Sequence, residues 1–149
     1  MIKILLLSFV TLYIFWLILN FFLLITKNLR VINDFKKLES LLNKRYGILD
    51  NMMISDDNKK YLEELKSLPK GIKYLNRKLA LNYILSKTVN ESLSDENLPD
   101  EYKIVNAELA NIGEIYNKDA DILKRAVEIF PKSFYARFLN IKSVDYYRG

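Results

Sequence analysis

The side chains that most often carry chemistry in proteins are partly missing from this sequence. It contains no histidine and no cysteine. These residues supply the usual general base near neutral pH, the thiolate nucleophile and most transition-metal ligands. The remaining candidates are neighbouring carboxylates, at Glu63–Glu64, Asp95–Glu96, Asp100–Glu101 and Asp119/Asp121. Close neighbours along a helix do not face each other, so these pairs do not converge on one site.

A phosphate-binding loop is not indicated either. Such a loop needs several glycines in a turn that leads into a helix. The four glycines stand alone, at positions 47, 71, 113 and 149. The sequence therefore predicts no catalytic residue, no cofactor and no metal ion. An enzyme that works through carboxylates alone is the least favoured functional alternative.

The first part of the chain is apolar enough to cross a membrane. Residues 4–26 form a run of 23 residues without a charge, and about 20 apolar residues in a helix cross the hydrocarbon core. A cleaved signal peptide is the other interpretation. Its apolar core is shorter and precedes a small-residue cleavage site, and no such site follows Thr26. We therefore predict a retained transmembrane helix.

The charges beside this run predict its orientation. Lys3 precedes it, and six basic residues follow within nineteen positions: Lys27, Arg30, Lys36, Lys37, Lys44 and Arg45. Basic flanks tend to stay on the cytoplasmic side. We expect a single-pass protein of the plasma (inner) membrane of a bacterium. Residues 1–3 would form a short outer N-terminus, residues 4–26 the transmembrane helix and residues 27–149 a cytoplasmic domain.

The net charge of +5 does not indicate a nucleic-acid partner. Residues 46–149 carry sixteen basic and sixteen acidic side chains, so the excess lies in residues 3–45. A nucleic-acid-binding surface needs a concentrated basic face. The same excess beside a membrane favours contact with anionic headgroups. We therefore predict lipid-facing basic residues at Lys27, Arg30, Lys36, Lys37 and Lys44.

Beyond the membrane, the apolar residues recur at helical spacing. The pattern continues unbroken from the apolar run to Met53. Three further helices are indicated, at Leu62–Leu68, at residues 72–87 and at Tyr102–Phe130. In the second of these, Tyr83 or Ile84 is expected to point inward. Strand-like alternation is absent from the sequence. The predicted fold is all-α: the transmembrane helix continues into an antiparallel cytoplasmic bundle of about four helices. Residues 88–99 are predicted to form a loop.

Asn20 is the polar amide within the apolar run. In a bilayer such a side chain seeks a hydrogen-bond partner and can drive association between helices. The alternative is that Asn20 bonds its own backbone or lies near the headgroups. Association through the membrane would make a second copy, or another membrane protein, the partner.

Two motifs in this arrangement resemble those of the LemA family. The segment from Lys44 to Met53, KRYGILDNMM, is similar to one in the first helix of that family. Arg45, Tyr46 and Asn51 keep the family's character there, whereas Gly47 and Asp50 replace its Asp and Pro.

Near the other end, Tyr116–Asn117 and Phe130–Pro131 stand at the family's spacing. A second Tyr-Asn pair of the family is replaced by Leu123–Lys124, and its acidic residue ten positions before the first pair is Asn106. The resemblance covers residues 1–54 and 102–147, and it implies a short, divergent member with a membrane-anchored helical bundle.

The resemblance and the helical pattern together suggest a polar cluster between the first and last long helices. We expect it to contain Tyr46, Asn51, Tyr116 and Asn117, with Arg45 beside it. Pro131 is expected to end a helix, and the ring of Phe130 is expected to pack as an apolar plug against that end. The function expected is a non-enzymatic interaction or scaffold module at the membrane, with membrane proteins or itself as partner. A protein that organises the membrane by binding anionic lipid through its basic helix is the alternative.

Overall fold

The structure is a computed structural model that describes residues 2–52, 55–70, 72–92 and 98–148. Within these ranges every regular element is helical and no strand occurs, which confirms the predicted all-α class. The helices, in chain order, are α1 (Ile2–Asp50), α2 (Asp56–Ser67), α3 (Leu75–Ser92), α4 (Asp100–Glu128) and α5 (Lys132–Phe138), with a 3-10 turn at Ile72–Tyr74 before α3.

Helix α1 is one continuous helix of 49 residues. At 1.5 Å per residue it is about 74 Å long, more than twice the thickness of a bilayer core. Its N-terminal part is long and apolar enough to cross a membrane, and its large side chains from Ile4 to Trp16 are exposed. The predicted continuation of the apolar segment into the rest of the fold is therefore present in the structure.

Packing against α1 begins earlier than the expected boundary at residue 27. From Leu17 onward one face of the helix is covered, and Asn20, Leu24 and Val31 are buried on it. The opposite face stays exposed at Phe22 and Leu23. The last third of the apolar run therefore contacts the rest of the chain on one side only.

Helix α4 runs antiparallel to α1. Arg45 of α1 contacts Asn106, and the ring of Phe35, further back along α1, lies 6.4 Å from that of Tyr116. Both helices contribute apolar residues at spacings of three and four, and this spacing gives each one buried stripe. On α4 the predicted stripe is fully buried at Tyr102, Val105, Leu109, Tyr116 and Leu123.

Helices α2 and α3 pack beside this pair. As expected, the hydroxyl of Ser55 caps α2, and Leu62 and Leu65 are buried. Helix α3 extends to Ser92, so the loop predicted for residues 88–99 is helical in its first part, and residues 93–97 lie outside the described residues. Tyr83 or Ile84 was expected to point inward, but both are exposed.

The chain after α4 differs from the prediction in one respect. Pro131 follows the end of α4, as expected for a helix stop, but Phe130 is 64% exposed and does not plug the helix. Helix α5 buries Ala136 and leaves Phe134 and Phe138 exposed. Residues 141–148 then form a non-helical C-terminal tail, in which Tyr147 is buried.

The buried stripe of α4 predicts a sharp contrast between two substitutions on that helix. Leu109→Asp places an unpaired charge in the core, which costs several kcal/mol, because Leu109 is fully buried. Ile104→Asp makes the same change where the side chain is 57% exposed. Circular dichroism melts of the full chain in detergent should show a large fall in Tm for Leu109→Asp alone. Equal melting of the two variants would contradict the assigned core.

Candidate functional site

The most unusual buried group in the folded part of the chain is the guanidinium of Arg45. This residue is 2% exposed, and its partners are neutral. Its Nη1 donates to Asn106 Oδ1 at 3.1 Å, and its Nη2 donates to Ser86 Oγ at 2.9 Å and to Asn82 Oδ1. The contacts join α1, α3 and α4 at one point. The described residues offer no partner to the Nε of Arg45.

Two tyrosine hydroxyls complete what we call the Arg45 cluster: Arg45, Tyr46, Asn82, Ser86, Asn106 and Tyr147. Tyr46 donates to Asn82 Oδ1 at 3.2 Å, and Asn82 and Arg45 lie close enough to the Tyr147 hydroxyl to influence its pKa. Burial raises the pKa of both tyrosines above the usual range, although Arg45 opposes the shift. Both therefore stay neutral at physiological pH, and neither supplies a negative charge to Arg45.

The polar cluster expected from sequence does not form as predicted. Tyr46 and Arg45 belong to the Arg45 cluster, but Tyr116 lies next to Phe35 instead. From Phe35 to Tyr46 is eleven residues of helix, or about 16 Å along the axis. Asn51 is exposed at the end of α1. The expected grouping is wrong because the two helices pack in a different register from the one assumed.

Tyr116 and Asn117 instead hold the C-terminal tail. The hydroxyl of Tyr116 donates to the backbone oxygen of Asp145 at 2.8 Å. The amide of Asn117 makes two bonds to Tyr147: its Nδ2 donates to the backbone oxygen at 2.9 Å, and its Oδ1 accepts from the backbone N–H at 2.7 Å. An amide side chain suits this position since it carries a donor and an acceptor side by side.

Gly113 provides the space that the tail needs. A Cβ placed on Gly113 would lie 2.2 Å from Cδ1 of Tyr147. The missing side chain lets the Tyr147 ring cross α4 and bring its hydroxyl to the Arg45 cluster. The tail and the cluster are therefore one connected structure.

Asn20 is satisfied within its own chain. Its Nδ2 donates to the backbone oxygen of Trp16 at 2.8 Å, and the residue is buried by the remainder of the fold. The structure thus matches the alternative in which Asn20 bonds its own backbone.

The basic residues of α1 divide into two groups. Lys27, Arg30, Lys36 and Lys44 are exposed or partly exposed. Lys37 is exposed and pairs with the buried Asp34 at 3.4 Å. Arg45, which also adds to the basic count of this segment, is in the core. A variant that removes Arg45 would therefore report on folding rather than on contact with lipid.

Among the described residues, Asp119 of α4 lies beside Asp34 of α1. Burial, followed by the contact with Asp34, raises the pKa of Asp119, while Arg30 and Lys118 act in the opposite direction. Within the described ranges, no group of three or more carboxylates is placed to hold a metal ion. The pair joins two helices and has no nucleophile or base beside it among the contacts described.

Several residues of the site were missed by reasoning from sequence. Asn82 and Ser86 are polar residues four positions apart on the buried face of α3. Tyr83 or Ile84 was expected to point inward in that part of the helix. The two polar residues were a usable signal, since a polar residue on a buried stripe needs a partner. Tyr147 gave no such signal, because the tail has no periodic pattern.

The neutral partners of Arg45 lead to a prediction at Asn106. Asn106→Asp would place a carboxylate where Arg45 Nη1 already donates, and charge-assisted hydrogen bonds are roughly twice as strong as neutral ones. We expect the free energy of unfolding to rise by about 1 kcal/mol. Asn111→Asp, at an exposed position of the same helix, is the control. Denaturant titration in detergent measures both, and a loss of stability confined to Asn106→Asp would contradict the assignment.

Two glycine substitutions should have opposite effects on stability. Alanine favours a helix over glycine by about 1 kcal/mol, and a Cβ at Gly47 meets nothing within 4 Å. Gly47→Ala should therefore raise Tm. Gly113→Ala should lower Tm and make the C-terminal tail sensitive to carboxypeptidase, because the new methyl group displaces Tyr147. A stabilising Gly113→Ala variant with a protected tail would show that the tail is placed wrongly.

Comparisons with known proteins give no relative on which to base an identity. No family model matches the chain, and neither a curated protein nor a solved structure is significantly similar to it. The function must therefore be argued from the residues and contacts described above.

Proposed function

We propose that this chain is a membrane-anchored interaction module without enzymatic activity, and a short, divergent member of the LemA family. In this proposal α1 crosses the inner membrane once, with its N-terminus outside. The packed helices form a cytoplasmic bundle that binds another membrane protein or a second copy of the chain. The resemblance in residues 44–53 and 116–131 supports the family, and the basic residues after the apolar run support the orientation.

The observation that carries the proposal is a groove between α3 and the C-terminal tail. It has a volume of about 380 Å³. Exposed Tyr83 and Ile84 line it from α3, and Asp145, Tyr146 and Arg148 line it from the tail. Large apolar side chains beside charged ones are typical of protein interaction surfaces. The groove is also bounded by the segment that Asn117 fixes in place, so its shape is preformed.

The alternative, lipid binding through the basic face of α1, fits the geometry less well. Because α1 is one continuous helix, Lys36 lies about 15 Å and Lys44 about 27 Å beyond Thr26 along the axis. Electrostatic attraction between exposed groups falls off over about 8 Å at physiological salt. In an upright helix, only Lys27 and Arg30 come close enough to anionic headgroups to act on them. The basic residues further along α1 are then free for other contacts.

Site-specific photocrosslinking in native membranes tests the proposal. A photoreactive amino acid at position 83 of the full-length chain should give a protein adduct of one defined mass. The same group at position 104 is the matched control, because Ile104 is an exposed apolar residue on α4, outside the groove. Ile84→Asp should abolish the adduct from position 83, since it places a charge at the apolar wall of the groove.

The proposal fails if positions 83 and 104 give the same adducts, or if Ile84→Asp has no effect. An adduct at twice the chain mass would identify the partner as a second copy. Lipid adducts from position 83, without protein, would move the function to the lipid alternative. Lys36→Gln, Lys37→Gln and Lys44→Gln then test that alternative, with Arg45 left in place.

A further inference from the structure

The turn between α4 and α5 exposes a set of large apolar side chains. We call residues 129–139 the α4–α5 corner. Phe130 is 64%, Phe134 63% and Phe138 81% exposed, and Ile129 is exposed beside them. Phe134 and Phe138 are four residues apart on α5 and so lie on one face. Exposed aromatic residues in such a cluster indicate a surface that is covered in the functional state.

The position of this corner relative to α1 indicates what covers it. Tyr135 of α5 packs its ring against Phe21, with a centroid distance of 5.4 Å, and its hydroxyl donates to the backbone oxygen of Leu17 at 3.3 Å. Both contacts are with the apolar run. The corner is thus fixed beside the part of α1 that is apolar enough to enter a bilayer.

Helix length places these contacts at a definite depth. About 20 residues of helix cross the hydrocarbon core, and twenty residues counted from Ile4, the start of the apolar run, end at Leu23. Phe21 and Leu17 lie about 3 and 9 Å before that point along the helix axis. The Tyr135 contacts therefore place the corner at the headgroup side of the hydrocarbon, just inside its edge. Tyrosine and other aromatic rings are enriched at that level of a membrane.

The charges of the corner and the residues after it agree with this position. From 129 to 144 the sequence contains Lys132, Arg137 and Lys142 and no acidic residue. Arg137 and Lys142 are exposed. Basic side chains near a membrane surface are attracted to anionic lipids, by about 1 kcal/mol each.

We propose that the α4–α5 corner inserts Phe130, Phe134 and Phe138 into the interfacial layer of the bilayer that α1 crosses, with Lys132, Arg137 and Lys142 at the headgroups. This inference rests on the proposed anchoring by α1. The folded region is then held to the membrane at two points, by a spanning helix and by an aromatic wedge. Its tilt relative to the bilayer is fixed by the Tyr135 contacts.

Single cysteines can test this directly, because the natural chain has none. The full-length variants Phe134→Cys and Phe138→Cys are spin-labelled and reconstituted in liposomes with 30% anionic lipid as a chosen composition. Each label then reports its collisions with two reagents: oxygen, which concentrates in lipid, and a nickel chelate, which stays in water. We expect the ratio of oxygen to nickel collisions to be several-fold higher at both positions than at Ile104→Cys. Ile104 is a suitable control since it is equally apolar and exposed, on the part of α4 remote from the corner.

Leu12→Cys, at an exposed position within the apolar run, separates the two ways of failing. A lipid signal at 12 with aqueous signals at 134 and 138 overturns the wedge and leaves the anchor intact. An aqueous signal at 12 overturns both. Protection of 134 and 138 from both reagents means that protein covers the corner, and this too overturns the inference.

Discussion

The fold depends on a buried cation, Arg45, whose hydrogen-bond partners among the described residues are all neutral. Removing a guanidinium from water costs several kcal/mol, and the cost is recovered only through hydrogen bonds. Arg45 obtains those bonds from Asn82 and Ser86 of α3 and from Asn106 of α4. Since the acceptors come from two other helices, they converge only if both helices are in register with α1. A shift of α4 by one turn would withdraw Asn106 and leave a buried charge less satisfied. The network therefore favours one register over its neighbours, which uniform apolar stripes alone do not do.

The same cluster explains the role of the Tyr116–Asn117 pair. The pair does not reach Arg45 itself; it holds the backbone of the tail, and the tail delivers the hydroxyl of Tyr147. Gly113 makes the delivery possible because any side chain there would meet the Tyr147 ring. One wall of the groove beside α3 is built from the same tail. A partner that bound the proposed groove and stabilised the docked tail would therefore also stabilise the surroundings of Arg45.

The parts of this fold that sequence could predict are those governed by local periodicity. The apolar run, the cap at Ser55, the start of α4 after Pro99 and the stripe from Tyr102 to Leu123 follow from spacing and capping chemistry. Register between helices does not, because a stripe with a spacing of three and four fits its neighbour almost equally well one turn away. That is why Tyr46 and Tyr116 were expected together, whereas Tyr116 lies beside Phe35, about 16 Å along α1 from Tyr46. On α3 the prediction failed only after Leu79: Tyr83 or Ile84 was expected inward, but Asn82 and Ser86 are buried there and both bond Arg45.

The fold also redistributes charge in a way that the sequence hides. Residues 46–149 sum to zero, with sixteen side chains of each sign. The segment from 129 to 144 contributes three basic residues and no acid, so the other residues between 46 and 149 carry a net charge of −3. Contacts of Tyr135 with Leu17 and Phe21 bring that basic segment back to the apolar end of the molecule, near Lys27 and Arg30. The fold therefore gathers basic side chains at the end of the molecule that carries the apolar run. With α1 spanning the membrane as proposed, an anionic surface would attract these side chains, so their placement and the anchor favour the same orientation.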